Sequence, residues 1–114
     1  MRYILENEFL TAEIDSFGAE VKSVRHKADG REYMWHGDQK YWGRTSPVLF
    51  PFVGSLKNKE YRFGGKTYPM GQHGFARDME FTCETQAGQN IPAGNCIWFT
   101  LTSTDETYEK YPFA

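Results

Sequence analysis

The sequence predicts an all-β protein, an antiparallel β-sandwich, and three observations carry that expectation. Short β-prone runs recur at intervals of about ten residues with turn signals between them. Aromatic residues, which favour strands, make up 17% of the chain. A helix-start signal stands at only one place, near the C-terminus. A chain of 114 residues has the length of one domain, so residues 1–114 are expected to fold as a single unit around one core.

Arg2 to Glu6 and Phe9 to Ile14 predict a hairpin, because Asn7-Glu8 is a connection of hairpin length with Asn where positive φ is tolerated. In the second run Phe9, Thr11 and Glu13 alternate with Leu10, Ala12 and Ile14, the pattern of a half-buried strand. Asp15-Ser16-Phe17-Gly18 reads as a turn. In the strand after it, Ala19, Val21 and Ser23 oppose Glu20, Lys22 and Val24. Lys27-Ala28-Asp29-Gly30 closes a second hairpin, with Arg31 to Trp35 as its returning strand.

His36 to Lys40 reads as loop. Pro47 and Pro51 bracket Val48-Leu49-Phe50, and each proline removes a ladder donor, so an irregular buried segment is expected there. Gly54 to Lys59 is a polar connection. Tyr61-Arg62-Phe63 and Lys66-Thr67-Tyr68 around Gly64-Gly65 form a clear hairpin, followed by a Gly-rich coil from Pro69 to Ala76. Asp78 to Thr85 and Cys96 to Ser103 predict two longer strands joined by the polar loop Gln86 to Asn95. Ser103 with Glu106 has capping-box spacing, predicting a short helical turn that ends before Pro112.

A net charge of -2 and a pI near 5.9 argue against a binder that tracks nucleic-acid phosphates. No apolar run approaches the roughly 20 residues that span a bilayer, and the first residues turn charged too early for a signal peptide, so a cytoplasmic location without membrane partners is expected. Cys83 and Cys96 lack zinc-ligand spacing and read as buried thiols. GxSxG, Walker and HExxH patterns do not occur, and no metal or cofactor is predicted.

The unusual chemistry lies between Trp42 and Phe81, where Arg44, His73 and Arg77 stand among aromatics, prolines and glycines. A histidine exchanges protons near neutral pH, and Gly71 and Gly74 would leave the His73 ring accessible. Each arginine offers five donors in a plane suited to adjacent hydroxyls or a phosphate; for Arg77 a salt bridge with Asp78 or Glu80 is the competing reading. Trp42 and Phe50-Pro51-Phe52 are either an apolar wall for a sugar's C–H face or core. His26 and His36, beside turns, read as surface residues.

Over Gly43-Arg44, Ser46 to Gly54, Gly65-Lys66-Thr67-Tyr68 and Gln72-His73-Gly74-Phe75-Ala76-Arg77-Asp78 the sequence resembles the aldose 1-epimerase (galactose mutarotase) superfamily, its LacX-like branch above all. The opening hairpins and Tyr111-Pro112-Phe113 extend the likeness over essentially the whole chain. The resemblance implies a β-supersandwich fold. It also implies cofactor-free interconversion of the α and β anomers of an aldose or sugar phosphate, in which a glutamate takes the C1 hydroxyl proton and a histidine protonates the ring oxygen.

By that resemblance Arg44 matches the arginine on the sugar oxygens and His73 the first active-site histidine, near the ring oxygen. Arg77 matches the arginine of the HGFAR motif, which helps hold the phosphate in sugar-phosphate relatives. The acid histidine and base glutamate of the family come from beyond the Tyr111-Pro112-Phe113 match, so the chain is expected to be the N-terminal portion of such a protein. Exposed strand edges would then favour self-association or pairing with a complementary polypeptide. A non-catalytic carbohydrate-binding module, or a remnant without ligand, is the alternative.

Overall fold

A computed structural model describes residues 1–84 and 96–114. The first three strands are β1 (Arg2–Glu6), β2 (Leu10–Asp15) and β3 (Glu20–His26). They form an antiparallel sheet in sequence order. The Asn7 side chain turns the first hairpin by accepting the Phe9 and Leu10 amides, both at 2.8 Å. A bulge between Glu13 and Ile14 shifts the register so that Ile14 faces Val21 while Glu13 faces Ser23. That extra residue breaks the expected alternation: Glu20 and Ser23 are both buried, whereas Val21 and Lys22 are only half-buried.

β4 (Glu60–Phe63) and β5 (Lys66–Pro69) form the hairpin expected around Gly64-Gly65. β6 (Thr82–Cys83) pairs with β7 (Phe99–Thr100), and α1 (Asp105–Lys110) follows. The fold among the described residues is thus mostly antiparallel β, with one short α-helix and 3-10 turns at Lys57–Lys59 and Ala76–Asp78.

Five expectations need correction. The strand Arg31 to Trp35 is reduced to a single bridge between Arg25 and Glu32. Two backbone bonds, His26 N–H to Arg31 O and Tyr33 N–H to Val24 O, both 2.9 Å, remain around it, and the Glu32 carboxylate takes the Val24 and Met34 amides at 2.8 and 2.9 Å where further rungs would form. The two longer strands shrink to the pairs in β6 and β7, because residues 79–81 bond to the turn after β2 instead: Gly18 N–H reaches Met79 O at 2.7 Å and Phe81 N–H reaches Ser16 O at 2.9 Å. Thr85 and the loop Gln86 to Asn95 lie outside the described residues. The capping box forms one residue later than expected, between Thr104 and Thr107. Cys83 and Cys96 are half-buried.

The fifth correction concerns the core. Among the described residues the only buried hydrophobic side chains are Ile14, Met70 and Ala76. The Pro47–Pro51 segment, expected to be buried, is half-buried with Phe50 exposed.

Candidate functional site

Two irregular segments, residues 44–54 and 70–80, are tied together by backbone contacts and bring the candidate residues side by side. Phe50 O accepts from the Phe75 and Ala76 amides at 3.0 and 3.2 Å. Beside this clasp runs the cis Phe50–Pro51 peptide, and Gly74, at φ +74°, passes so close that a Cβ would lie 2.1 Å from Phe50 O. Only glycine fits there, because the close approach and the left-handed backbone act together.

Gly54 and His73 form the second tie. His73 N–H donates to Gly54 O, and Gly54 N–H donates to His73 Nδ1, both at 2.8 Å. Since a backbone amide only donates, Nδ1 must be an acceptor, and in the neutral ring the proton therefore sits on Nε2. His73 itself adopts φ +62°, an uncommon conformation for a residue with a Cβ. Backbone and ring are locked together, leaving Nε2–H as the ring's polar group for a ligand.

Arg44 makes the third tie. Its Nη1 donates to Arg77 O at 3.2 Å and its Nη2 pairs with Asp78 Oδ1. Two of its five donors are thereby committed, and the side chain stays 29% exposed, so the remaining donors can meet a ligand. The Arg77 guanidinium turns elsewhere: Nη2 donates to Gln72 O at 3.1 Å, Nε is buried without a hydrogen bond, and Asp78 Oδ2 lies 4.0 Å away. Arg77 thus reaches Arg44 through its carbonyl, and Asp78 pairs more closely with Arg44 than with its neighbour. The other expected partner, Glu80, accepts from Ser16 Oγ.

Glu20, at the start of β3, supports this arrangement from behind. Its side chain is 3% exposed and accepts from Thr45 N (2.5 Å), Thr45 Oγ1 (2.8 Å) and Ser46 N (3.1 Å), with Lys22 Nζ at 3.0 Å. Burial alone would raise its pKa, but these donors outweigh burial and hold it at about 2. A fixed anion therefore anchors the two residues that follow Arg44. Sequence reasoning missed Glu20, because the bulge in its own strand, where Lys22 is the extra residue, interrupts the alternation by which faces are read.

Trp42 is exposed and its carbonyl accepts the Trp35 indole N–H at 2.9 Å, while Phe52 packs on Tyr61 with ring centroids 5.1 Å apart. His26 is held by Asp29 at 2.9 Å, and His36 rests against the Trp35 ring, both on a different part of the chain from His73. A cavity of about 310 Å³ lies beside the cluster, lined in part by Asp78, Glu106 and Lys110, but Arg44, His73 and Arg77 do not line it. Among the described residues no three His, Cys, Asp or Glu side chains are grouped to hold a metal ion, and no helix is long and apolar enough to cross a membrane.

Similarity to known proteins runs over essentially the whole chain. The family model described as aldose 1-epimerase matches residues 1–114. The chain is 41% identical over 112 residues to the chromosomal protein LacX of Lactococcus lactis subsp. lactis, covering 94% of this chain but 35% of the relative. It is similar to the solved galactose mutarotase related enzyme of Lactobacillus acidophilus, with a TM-score of 0.91, 43% identity, and coverage of 99% of this chain and 36% of that one. A galactose mutarotase-like protein of Lactobacillus casei ATCC 334 gives a TM-score of 0.90 at 41% identity, again with 99% and 36% coverage. The chain therefore spans about a third of the length of these relatives. With the match running from the first residue to the last, the chain belongs to the aldose 1-epimerase family.

Proposed function

We propose that residues 1–114 supply the first part of a sugar site in a cytoplasmic aldose 1-epimerase, which interconverts the α and β anomers of an aldose or sugar phosphate. The observation that carries this reading is the Gly54–His73 lock, which presents Nε2–H as a donor of fixed tautomer. His73 donates to a sugar oxygen near the ring oxygen. Arg44, braced by Arg77 O and Asp78, directs its free N–H groups to neighbouring hydroxyls. Arg77 serves the site first through its carbonyl, with its buried Nε as a donor for a phosphate oxygen once the loop at Gln72 shifts. The acid–base pair that completes anomer exchange belongs to polypeptide equivalent to the rest of the relatives' chains.

A second reading, binding without catalysis by this chain, is favoured by one observation. Among the described residues His73 is the only imidazole tied to the 44–54 and 70–80 segments, and the Asp78 and Glu80 carboxylates there are committed to Arg44 and Ser16. Polarimetry of fresh α-D-glucose and α-D-galactose, run beside NMR titration of the same sugars, separates the two. Faster mutarotation that disappears in His73→Ala supports a complete site; shifts at His73 and Arg44 without anomer exchange support a half-site. Absence of both effects, with sugar phosphates also silent, would exclude sugar binding by this chain.

A further inference from the structure

Both ends of the Arg44 side chain are fixed by one turn that is distant from it in sequence, residues 16–20, which join β2 to β3. At the backbone end, Glu20 grips the two residues after Arg44. A single oxygen of its buried carboxylate, Oε1, takes Thr45 N–H at 2.5 Å and Ser46 N–H at 3.1 Å, with Thr45 Oγ1 at 2.8 Å and Lys22 Nζ at 3.0 Å. Thr45 Oγ1 and Ser46 Oγ also lie 2.6 and 2.9 Å from Val21 O, so both hydroxyls turn back to β3 instead of to a ligand. Two adjacent amides converging on one oxygen favour an anion there, and without it they would be left unpaired.

At the guanidinium end, the same turn holds the acceptor. Arg44 Nη1 donates to Arg77 O. Gly18, at φ +73°, passes so close to that carbonyl that a Cβ would lie 2.7 Å from Arg77 O. Gly18 N–H donates to Met79 O at 2.7 Å, Phe81 N–H donates to Ser16 O at 2.9 Å, and Ser16 Oγ donates to the Glu80 carboxylate. The residues on either side of Asp78, which takes Arg44 Nη2, are thus packed against or bonded to the turn.

We propose that residues 16–20 form a positioning device for Arg44, in which Glu20 sets its backbone and Gly18 sets the carbonyl on which its guanidinium rests. A long, flexible side chain directs its donors only when both ends are held, and a shift at either end turns the planar fork away from the oxygens it would meet. The effect on binding rests on the sugar-site reading above. The effect on the Arg44 side chain does not.

Nitrogen-15 spectra of the Arg44 guanidinium in the whole chain test the proposal. Because Nη1 and Nη2 bond to different acceptors, they should give separate signals. Gly18→Ala drives a Cβ into Arg77 O, and Glu20→Gln removes the charge that gathers the Thr45 and Ser46 amides; each should merge or shift those signals. Gly30→Ala is the matched control: φ is +71°, but nothing lies within 4 Å of a Cβ, so it carries similar backbone strain and should leave the signals in place. Titration with D-glucose and D-galactose should show affinity weaker by about tenfold or more in Gly18→Ala and Glu20→Gln, and unchanged in Gly30→Ala. Amide spectra of the β4–β5 hairpin report whether each variant is folded; if one of the two turn variants is not, the other decides. Arg44 signals already merged in the unaltered chain, unchanged in a folded turn variant, or disturbed equally by Gly30→Ala would overturn the proposal. An unaltered chain that binds neither sugar counts against the sugar reading instead, and the Arg44 spectra still decide the positioning role.

Discussion

His73 and Gly54 hold each other through two hydrogen bonds of 2.8 Å, one from each backbone amide, with the imidazole Nδ1 accepting the second. This geometry specifies a tautomer. Nitrogen-15 spectra of the His73 ring at pH 8 should show Nε2 protonated and Nδ1 bare. His73→Asn keeps an acceptor of similar reach and should retain the fold while losing sugar-induced shifts. A ring protonated at Nδ1 would refute the donor assignment in the proposed site.

The two glycines of this clasp should respond differently to a methyl group. At Gly74 a Cβ meets Phe50 O at 2.1 Å and Pro51 N at 2.6 Å, and these are backbone atoms that cannot swing aside. At Gly54, φ is +82° but nothing lies within 4 Å. Gly74→Ala should therefore cost about 2 kcal/mol or more, and Gly54→Ala about 1 kcal/mol from backbone strain alone. Urea denaturation of both variants checks the order; equal costs would mean that the close approach to Phe50 relaxes freely.

Glu20 predicts an acid-sensitive step. Its folded pKa of about 2 lies below the ordinary value of 4.5, so its contribution is fully present above about pH 4.5 and is lost as the pH falls toward 2. A drop of that size corresponds to roughly 3 kcal/mol at neutral pH. Glu20→Gln keeps an acceptor but loses the charge, and should destabilise by on the order of 2 kcal/mol at pH 7 while flattening the stability profile between pH 4.5 and 2. An unchanged acid profile in the variant would place the titration elsewhere.

Much of this was legible before the fold was known, and the reasons differ by residue. Gly64-Gly65 between β-prone runs dictates the β4–β5 hairpin by local chemistry alone. The Arg44 and His73 candidates came from residue type and resemblance; their union depends on Phe50 O accepting two amides from the other segment, a contact no local pattern records. Glu20 was invisible because one bulged residue reverses the faces of a strand. The strand at Arg31 stops after one bridge, where the Glu32 carboxylate takes the Val24 and Met34 amides.

Arg44 and Asp78 should separate stability from recognition. The pair is part-exposed, with side chains 29% and 54% accessible, so solvent screens it and Asp78→Asn should change stability by less than about 1 kcal/mol. Arg44→Ala also removes the bond to Arg77 O, together with the donors that the proposed site directs to sugar hydroxyls. Sugar titrations should therefore weaken mildly in Asp78→Asn and vanish in Arg44→Ala, with lysine a poor substitute because it lacks the planar fork. Full retention of sugar shifts in Arg44→Ala would remove this residue from the site.

The helix α1 is too short to persist unaided, so its ends must be held by side chains. Thr104 Oγ1 accepts the Thr107 amide at 3.2 Å while Thr107 Oγ1 accepts the Thr104 amide at 2.8 Å, and at the other end Tyr61 Oη donates to Lys110 O at 2.5 Å. Burial, with Tyr68 and Tyr111 nearby, raises the Tyr61 pKa, which keeps this hydroxyl protonated as a donor. Thr104→Ala and Tyr61→Phe should each cost about 1 kcal/mol. The loss should appear locally, as faster exchange of the Tyr108 and Tyr111 amides that bond to Thr104 O and Thr107 O. If the amides of β1 to β3 accelerate to the same extent, α1 unfolds with the whole chain and its two tethers stabilise the global fold instead of the helix alone.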